Sequence, residues 1–533
     1  MKRFCFKMFL WVGFMLLFGC AKRGTITGGL KDTLAPKLTY SLPKNFSTNF
    51  KGNEIKLFFD EYVKIKDASK QLVVSPPMST PVDVTPQVAS KFLTIKIADT
   101  LQPNTTYSFN FGDCIRDNNE DNPLSQFKFV VSTGAEIDTL TVAGTIKDAL
   151  EQKPDNFVSV MLYEMNEKYN DSVIFKKKPR YVTNTLDSLK SWKIENVKAG
   201  KYVLVALKDL NNNFLYEPKK EKIAFHKSVI IVPTTENFEL KLFKEEPIYV
   251  AKKVFQASGN RAVLAFEGDP KNTKVLLKNG ATILKTIVTK FPQKDSLQIW
   301  FDKIKVDSLA LKIENGKFKK NFTFKIKDQK KDTLNIVGEP IGLLPFRSDF
   351  ELKSSTPIVG FDKTKMVLLN KDSVAVKFDV MEDQMNQSLK ILFKKEPLEK
   401  YKLKIAPSSI TDYFGNKNKK DLVFEFETKS TTDYGNVSIT LENVKNFPII
   451  VELTNVEGKI LATAYSENSP KINFDLLEPA EKVYIRVVHD ANGNKKWDSG
   501  NVLLKQQPEE VQYFKTKIDV RANWDVMQPV SFE

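Results

Sequence analysis

The chain is poor in the residues that most enzymes rely on. Its 533 residues include two histidines and three cysteines. His226 and His489 lie far apart, each among β-type residues. A catalytic relay needs its base within hydrogen-bond reach of a nucleophile, and neither histidine stands near a nucleophile motif. His-x-x-x-His, Cys-x-x-Cys and Gly-x-Ser-x-Gly are all missing. Asp60 and Glu61 are adjacent, so on a strand they face opposite ways and cannot work as an acid–base pair. Long helical periodicity is lacking too, and no apolar run reaches the roughly 20 residues of an ordinary spanning helix. These absences set the expectation of a β-rich protein that is not an enzyme and needs no cofactor.

Several features are present in strength. The length exceeds one compact core and suggests about four or five units of roughly 100–150 residues. Hydrophobic residues make up 41% and charged residues 27%, an ordinary globular balance. Aromatics reach 11%, with 39 Phe, which favours pleated sheet over helix. The net charge is +16, but Lys176-Lys177-Lys178, Lys219-Lys220 and Lys419-Lys420 are scattered and sit near Asp, Glu or Asn. Such runs read as solvated surface rather than an anion site. Nucleic acid is not an expected partner.

The N-terminus carries Lys2, Arg3 and Lys7, then the apolar run Met8 to Gly19. That pattern is a secretory signal. It ends in Leu17-Phe18-Gly19-Cys20 and resembles the bacterial lipobox, with Phe18 bulkier than usual there. The resemblance implies a signal peptide over 1–19 and an acylated Cys20 as the mature N-terminus. Several acyl chains on one residue give stable attachment to a lipid membrane. Cys5 would leave with the leader and Cys20 would be consumed, so Cys114 alone remains and no internal disulfide forms. Residues 20–35 contain Gly24, Gly28 and Gly29 among threonines and charges and read as a flexible tether. They do not form a phosphate loop, because no strand precedes them and no helix follows.

Beyond the tether, apolar residues alternate at period two. Leu93, Ile95 and Ile97 do so, as do Tyr107, Phe109 and Phe111, and then Phe127, Phe129 and Val131. Short strands between Asn, Asp, Gly and Pro clusters predict β-sandwiches. Two stretches share a pattern. In one, Ile55 to Val63 is followed by Gln102 to Pro123 and Phe127 to Gly134. In the other, Val374 to Val380 is followed by Leu398 to Asn418 and Phe424 to Ser430. The turn Ile410-Thr411-Asp412-Tyr413-Phe414-Gly415-Asn416 resembles the Ile-x-Asp-x-x-Gly-Asn turn of the bacterial Ig-like family found in surface-layer proteins. The first copy, Ile115-Arg116-Asp117-Asn118-Asn119, lacks the glycine.

A second pair, Lys198 to Pro218 and Pro479 to Gly500, is similar to transthyretin- or carboxypeptidase-regulatory-like (prealbumin-like) sandwiches. Tyr107, Tyr202, Tyr401 and Tyr484 each follow a turn, the position of a tyrosine corner. The expected class is all-β, with tandem Ig-like and prealbumin-like sandwiches after a lipoprotein signal peptide. The expected domains are 36–134 Ig-like, 135–246 carboxypeptidase-regulatory-like, 247–340 β-rich of unknown type, 341–430 Ig-like and 431–533 carboxypeptidase-regulatory-like.

Both members of the second pair carry an Asp-x-Asn-x-Asn loop. Asp209, Asn211 and Asn213, and Asp490, Asn492 and Asn494, repeat the alternating oxygens that open a calcium loop. Glu217 and Asp498 fall at the ninth position, but Lys220 and Asn501 stand where the twelfth-position Glu belongs. Asn and Asp also build such turns without metal, by bonding their own backbone. Calcium and a plain turn therefore both stay open. Asp117, Asn119 and Asp121 form a weaker third case.

The resemblances together imply a binding or scaffolding lipoprotein of the outer membrane in a Bacteroidetes-like organism, with an envelope protein as partner. It would be an accessory of an assembly or transport complex. An adhesin or glycan binder using Tyr216 and Trp497 is the alternative. Lys22 and Arg23 after Cys20 weigh against surface display and leave the side of the membrane undecided.

Overall fold

The computed structural model describes residues 32–167, 169–186, 190–292 and 294–532. The signal segment 1–19, Cys20 and the tether up to Lys31 lie outside the described residues. The chain divides into two compact units, Met1–Ile137 and Asp138–Glu533. Among the described residues almost all regular structure is strand, and the α-helix Ala68–Gln71 is a single turn. Among the described residues no helix is long and apolar enough to cross a membrane.

The first unit is a sandwich, the first module. One sheet runs Leu38–Leu42, Glu54–Ile65, Ser90–Lys96, Asp83–Thr85, and Ile115–Asp117 also pairs with Glu54–Ile65. The other runs Val73–Ser75, Thr106–Asn110, Lys128–Ser132. Ile55, Leu57, Leu93, Ile95, Phe109, Phe111 and Phe129 are fully buried between them. The period-two alternation thus turns one side of each strand into the core.

The second unit contains further buried clusters, over residues 142–242, 249–324, 336–426 and 437–532. These are the second to fifth modules. The fourth repeats the topology of the first. Ile336–Glu339, Phe350–Ser354, Ser388–Phe393 and Phe378–Asp383 are ordered as in the first module's larger sheet, and Ile358–Phe361 pairs with Ile410–Asp412. This corrects one expected correspondence. Val374 to Val380 is not the counterpart of Ile55 to Val63. Phe378–Asp383 occupies the edge position of Asp83–Thr85, whereas Glu54–Ile65 matches the broken strand Phe350–Phe361. A Phe-Asp pair on an alternating strand marks a strand but not its place in the sheet, which pairing decides.

The Ile-x-Asp turn works as a carboxylate cap in both. Asp412 is fully buried and accepts from the Phe414 and Asn416 amides at 3.0 and 2.8 Å, with Gly415 at φ +79. Asp117 accepts from the amides of Asn119, Glu120, Asp121 and Asn122. The missing glycine is replaced by Asp121 at φ 67, a residue type that tolerates the left-handed region. Burial alone would raise the Asp117 carboxyl, but those amides outweigh it and hold it below its ordinary range.

The second and fifth modules also share one topology. In the second, Tyr181–Asn184, Ser159–Glu164, Gly200–Leu207 and Ile223–Phe225 face a sheet of Ser191–Val197, Leu140–Asp148 and Asn237–Leu242. In the fifth, Ile460–Ser466, Ile449–Thr454, Ala480–His489 and Val511–Val520 face Lys471–Leu477, Gly435–Glu442 and Asp525–Ser531. In each, the last strand pairs parallel to the first. The third module is two four-stranded antiparallel sheets.

Three of the four expected tyrosine corners form. The hydroxyls of Tyr107 and Tyr401 accept from the Gln102 and Glu396 amides at 2.8 Å, and that of Tyr202 donates to the Lys198 carbonyl at 3.0 Å. Tyr484 differs. Its strand already begins at Ala480, so the ring lies inside the sheet beneath Lys517 rather than at a corner.

Within the second unit, contacts run in a cycle. Lys219 pairs with Glu267, linking the second module to the third. Gln298 and Thr289 bond Gln387, linking the third to the fourth. Arg347 donates to the Asp475 carbonyl and Phe346 packs on Tyr434, linking the fourth to the fifth. The fifth then returns to the second through Tyr513, Gln507 and the loop that follows Asp490.

Candidate functional site

Both Asp-x-Asn-x-Asn loops leave the C-terminal end of a central strand. Gly200–Leu207 runs into Asp209, and Ala480–His489 runs into Asp490. Asp209 is almost buried and accepts from the amides of Asn211, Asn213 and Phe214 at 3.1, 3.3 and 2.8 Å. Asp490 is fully buried and accepts from the amides of Asn494 and Lys495 at 3.0 and 2.8 Å. Each carboxylate satisfies amides that a sharp turn would otherwise leave unpaired. Asn212, Phe214, Gly493 and Lys495 take the positive φ that such a turn needs.

The ninth-position acids close the loops. Asn211 donates its side-chain amide to Glu217 at 2.8 Å, and Asn494 to Asp498 at 2.7 Å, with Asn492 also donating to Asp498. A further pair was not visible in the sequence. Glu221 is fully buried and accepts from the amides of Leu210 and Glu217 at 2.9 and 2.8 Å. Glu509 accepts from the equivalent amides of Ala491 and Asp498 at 2.7 and 3.0 Å. Glu221 stands one place beyond the twelfth position, and Glu509 far beyond it, so a fixed spacing misses both. Burial pushes both carboxyls up, and the neighbouring acids add to this: Asp209 and Glu217 for Glu221, Asp498 and Asp490 for Glu509.

The donor set is all oxygen, as a calcium site requires. The described arrangement spends those oxygens on backbone amides, and Asn211, Asn492 and Asn494 turn their N–H groups toward the acids. Among the described residues no group of three or more His, Cys, Asp or Glu is placed to hold a metal ion.

The two loops meet at one residue. Glu245 accepts from the Tyr216 hydroxyl of the first loop at 3.1 Å and from the Val502 amide beyond the second at 2.6 Å. Around it the Ser499 hydroxyl donates to the Lys244 carbonyl at 2.6 Å and Lys496 lies 3.8 Å from Glu246. Val502 and Lys505 line a small cavity of about 50 Å³ with Val205 and Phe225. Behind the second loop, Arg486 and Glu452 form a buried pair at 2.5 Å. The Tyr513 hydroxyl accepts from Arg486 and donates to the Leu150 carbonyl at 3.0 Å. The loops therefore build a junction between modules. Tyr216 is 3% exposed, and the Trp497 indole N–H donates to the Glu509 carbonyl, so both aromatics pack into the loops.

The remaining candidates stay apart. His226 Nδ1 lies 2.9 Å from the Ser228 carbonyl and its ring meets Phe238 edge-on. His489 meets Phe532 in the same way. Cys114 is fully buried, and burial pushes its thiol up to about 12, so it stays protonated and unreactive near neutral pH.

Residues 32–133 match the family model described as Bacterial Ig-like domain, so the chain carries an Ig-like domain. No curated protein matches the chain at a significant level. Among solved structures, the S-layer protein rSbsC(31-844) aligns over 91% of this chain and 67% of its own, with 11% identity and a TM-score of 0.14. A titin A168169 structure aligns over 34% of this chain and 99% of its own, with 12% identity and a TM-score of 0.13. Salmonella alpha-2-macroglobulin reacted with methylamine covers 88% of this chain and 44% of its own, at 10% identity and a TM-score of 0.15. Likenesses at this level carry no inference about this chain.

Proposed function

We propose that the protein is a non-enzymatic, lipid-anchored scaffold of the cell envelope, held at the outer membrane through acylated Cys20 and serving a larger assembly or transport complex. The observation that carries this reading is Leu17-Phe18-Gly19-Cys20 at the end of a short apolar run, directly upstream of packed β modules. The cyclic contacts of the second unit support it further. Modules tied to one another at both ends hold fixed relative positions, which suits presentation of surfaces to a partner, and loops at sandwich ends supply those surfaces. The alternative of a glycan-binding adhesin needs Tyr216 and Trp497 at the surface, and both are engaged within their loops.

The test is gentle-detergent affinity capture of the tagged chain from its own membranes. A stoichiometric outer-membrane barrel or assembly factor is the expected companion. A chain that elutes as a monomer would defeat the scaffold reading.

A further inference from the structure

The outer face of an antiparallel sheet is ordinarily polar. In the first module one row of it is apolar, between the outward Lys56 and Asp60. Along Glu54–Ile65 the buried Ile55, Leu57 and Phe59 alternate with Lys56 and Phe58, which point away from the core. Register places Tyr40 opposite Phe58 on one side and Phe92 opposite it on the other. The three rings form a row across three strands, with centroids 5.2 and 6.0 Å apart. Leu42 sits beside Lys56 in the next row. Tyr40, Leu42 and Phe92 are 52%, 49% and 44% exposed. Cross-strand pairing explains why the rings touch one another but not why they are left in water. Elsewhere in this chain, apolar residues on outer sheet faces are either covered, as Met161, Val205, Ile450 and Val488 are at under 5% exposed, or stand exposed among polar neighbours, as Val367 and Val423 do on either side of Lys404.

We infer that this face of the first module lies against an anionic phospholipid surface, in the headgroup region. The inference rests on the anchored reading, because Cys20 precedes Leu38 by only 18 residues. An extended chain of that length reaches at most roughly 60 Å, so the first strand of the fold stays close to the lipid. Charge agrees. From Cys20 to Leu57 there are seven basic residues (Lys22, Arg23, Lys31, Lys37, Lys44, Lys51, Lys56) and two acidic ones (Asp32, Glu54). Lys37 and Lys44 bracket the strand Leu38–Leu42. On the face itself Lys56 is paired with Glu54 at 3.0 Å and Asp60 follows Phe58, so Lys37, Lys44 and the basic tether supply the net positive charge. Tyr, Phe and Leu beside such lysines is the chemistry that settles at a membrane interface, where rings enter the acyl boundary and ammonium groups meet phosphate.

The test uses the chain from Ala21 to Glu533, which has neither leader nor acyl group. It is sedimented with vesicles of phosphatidylethanolamine containing one quarter phosphatidylglycerol. The parent chain should partition onto them, and the triple variant Tyr40→Ser, Phe58→Ser, Phe92→Ser should lose about ten-fold in partition coefficient. Because that variant could destabilise the sheet, thermal melts accompany it, and Lys37→Glu with Lys44→Glu serves as a second variant outside the sheet. That pair should weaken binding to the anionic vesicles and leave binding to pure phosphatidylethanolamine unchanged. A parent chain that stays in the supernatant, or variants that partition like the parent, would overturn the inference. Sedimentation of the parent with an insoluble glycan but not with vesicles would overturn it as well. Cys20 is absent from this assay, so its failure is distinct from failure of the anchor, which is read in cells.

Discussion

The two Asp-x-Asn-x-Asn loops start alike and end differently, and the difference locates the junction. Both hold a buried Asp over their own amides, and both close through an acid at the ninth position. In the second module the supporting Glu221 follows quickly. In the fifth, Glu509 comes only after Asn501 and Gln506 have paired across an extra turn. That extra stretch carries Ser499, Val502, Lys505 and Gln507, all of which reach the second module. One shared turn geometry therefore serves two ends. The short loop makes a platform, and the long one reaches across to it.

Substitutions can break each half of this comparison separately. Asp209→Ala and Asp490→Ala should have the largest effects, about 2–4 kcal/mol each in denaturant melts, because each strands several buried amides. Equal losses would confirm that the turn itself is shared, and a negligible loss in either would separate the two loops. Gly500→Val should cost about 1–3 kcal/mol. A Cβ there would stand 2.7 Å from both the Phe243 ring and the Gln506 carbonyl, so the junction must give way while the fifth module keeps its own core. Hydrogen exchange should then rise around Phe243 and Leu150 but not around Val451. Lys505→Glu removes an exposed pair with Asp171 at 3.4 Å and should change stability by less than about 1 kcal/mol.

Two further conditions sharpen the contrast. Glu221 and Glu509 have raised folded pKa values, so the stability they contribute is present at low pH and lost as pH rises through those values. Asp117 has a lowered one, so its contribution is present above the ordinary carboxylate range and lost on acidification. Moving from neutral to mildly acid pH should slow intrinsic-rate-corrected exchange at Leu210 and Ala491. Further acidification below about pH 4 should speed it at Asn119. Calcium at millimolar concentration should leave the melting temperature unchanged. A clear rise would mean that Asn211 and Asn492 rotate their oxygens inward to bind it.

The fold class was legible because alternation reports burial directly: Leu93, Ile95, Phe109 and Phe129 all lie in the core. The Asp turns were legible as well, since an acid that caps its own backbone must sit in a fixed local pattern. Contacts made at long separation were not. Glu509 bonds Ala491 from 18 residues away, and Tyr513 reaches Leu150 from 363. A trace of such contacts exists in the strands Ser159–Glu164 and Ile449–Thr454, whose largely apolar runs have both faces buried instead of one, with Glu452 paired to Arg486 in the second. The place of Val374–Val380 in its sheet was hidden for a related reason, because pattern gives a strand's faces and not its neighbours.

The anchor is the claim on which the proposed function and the membrane-facing inference depend, and fatty-acid labelling tests it most directly. Cells expressing the chain are fed an alkyne fatty acid, and the labelled protein is followed through membrane fractionation. The wild-type chain should carry label and sediment with the outer membrane. The Cys20→Ser chain should lose the label and pass largely to the soluble fraction. An unlabelled wild-type chain, or a Cys20→Ser chain retained at the wild-type level, would contradict the account.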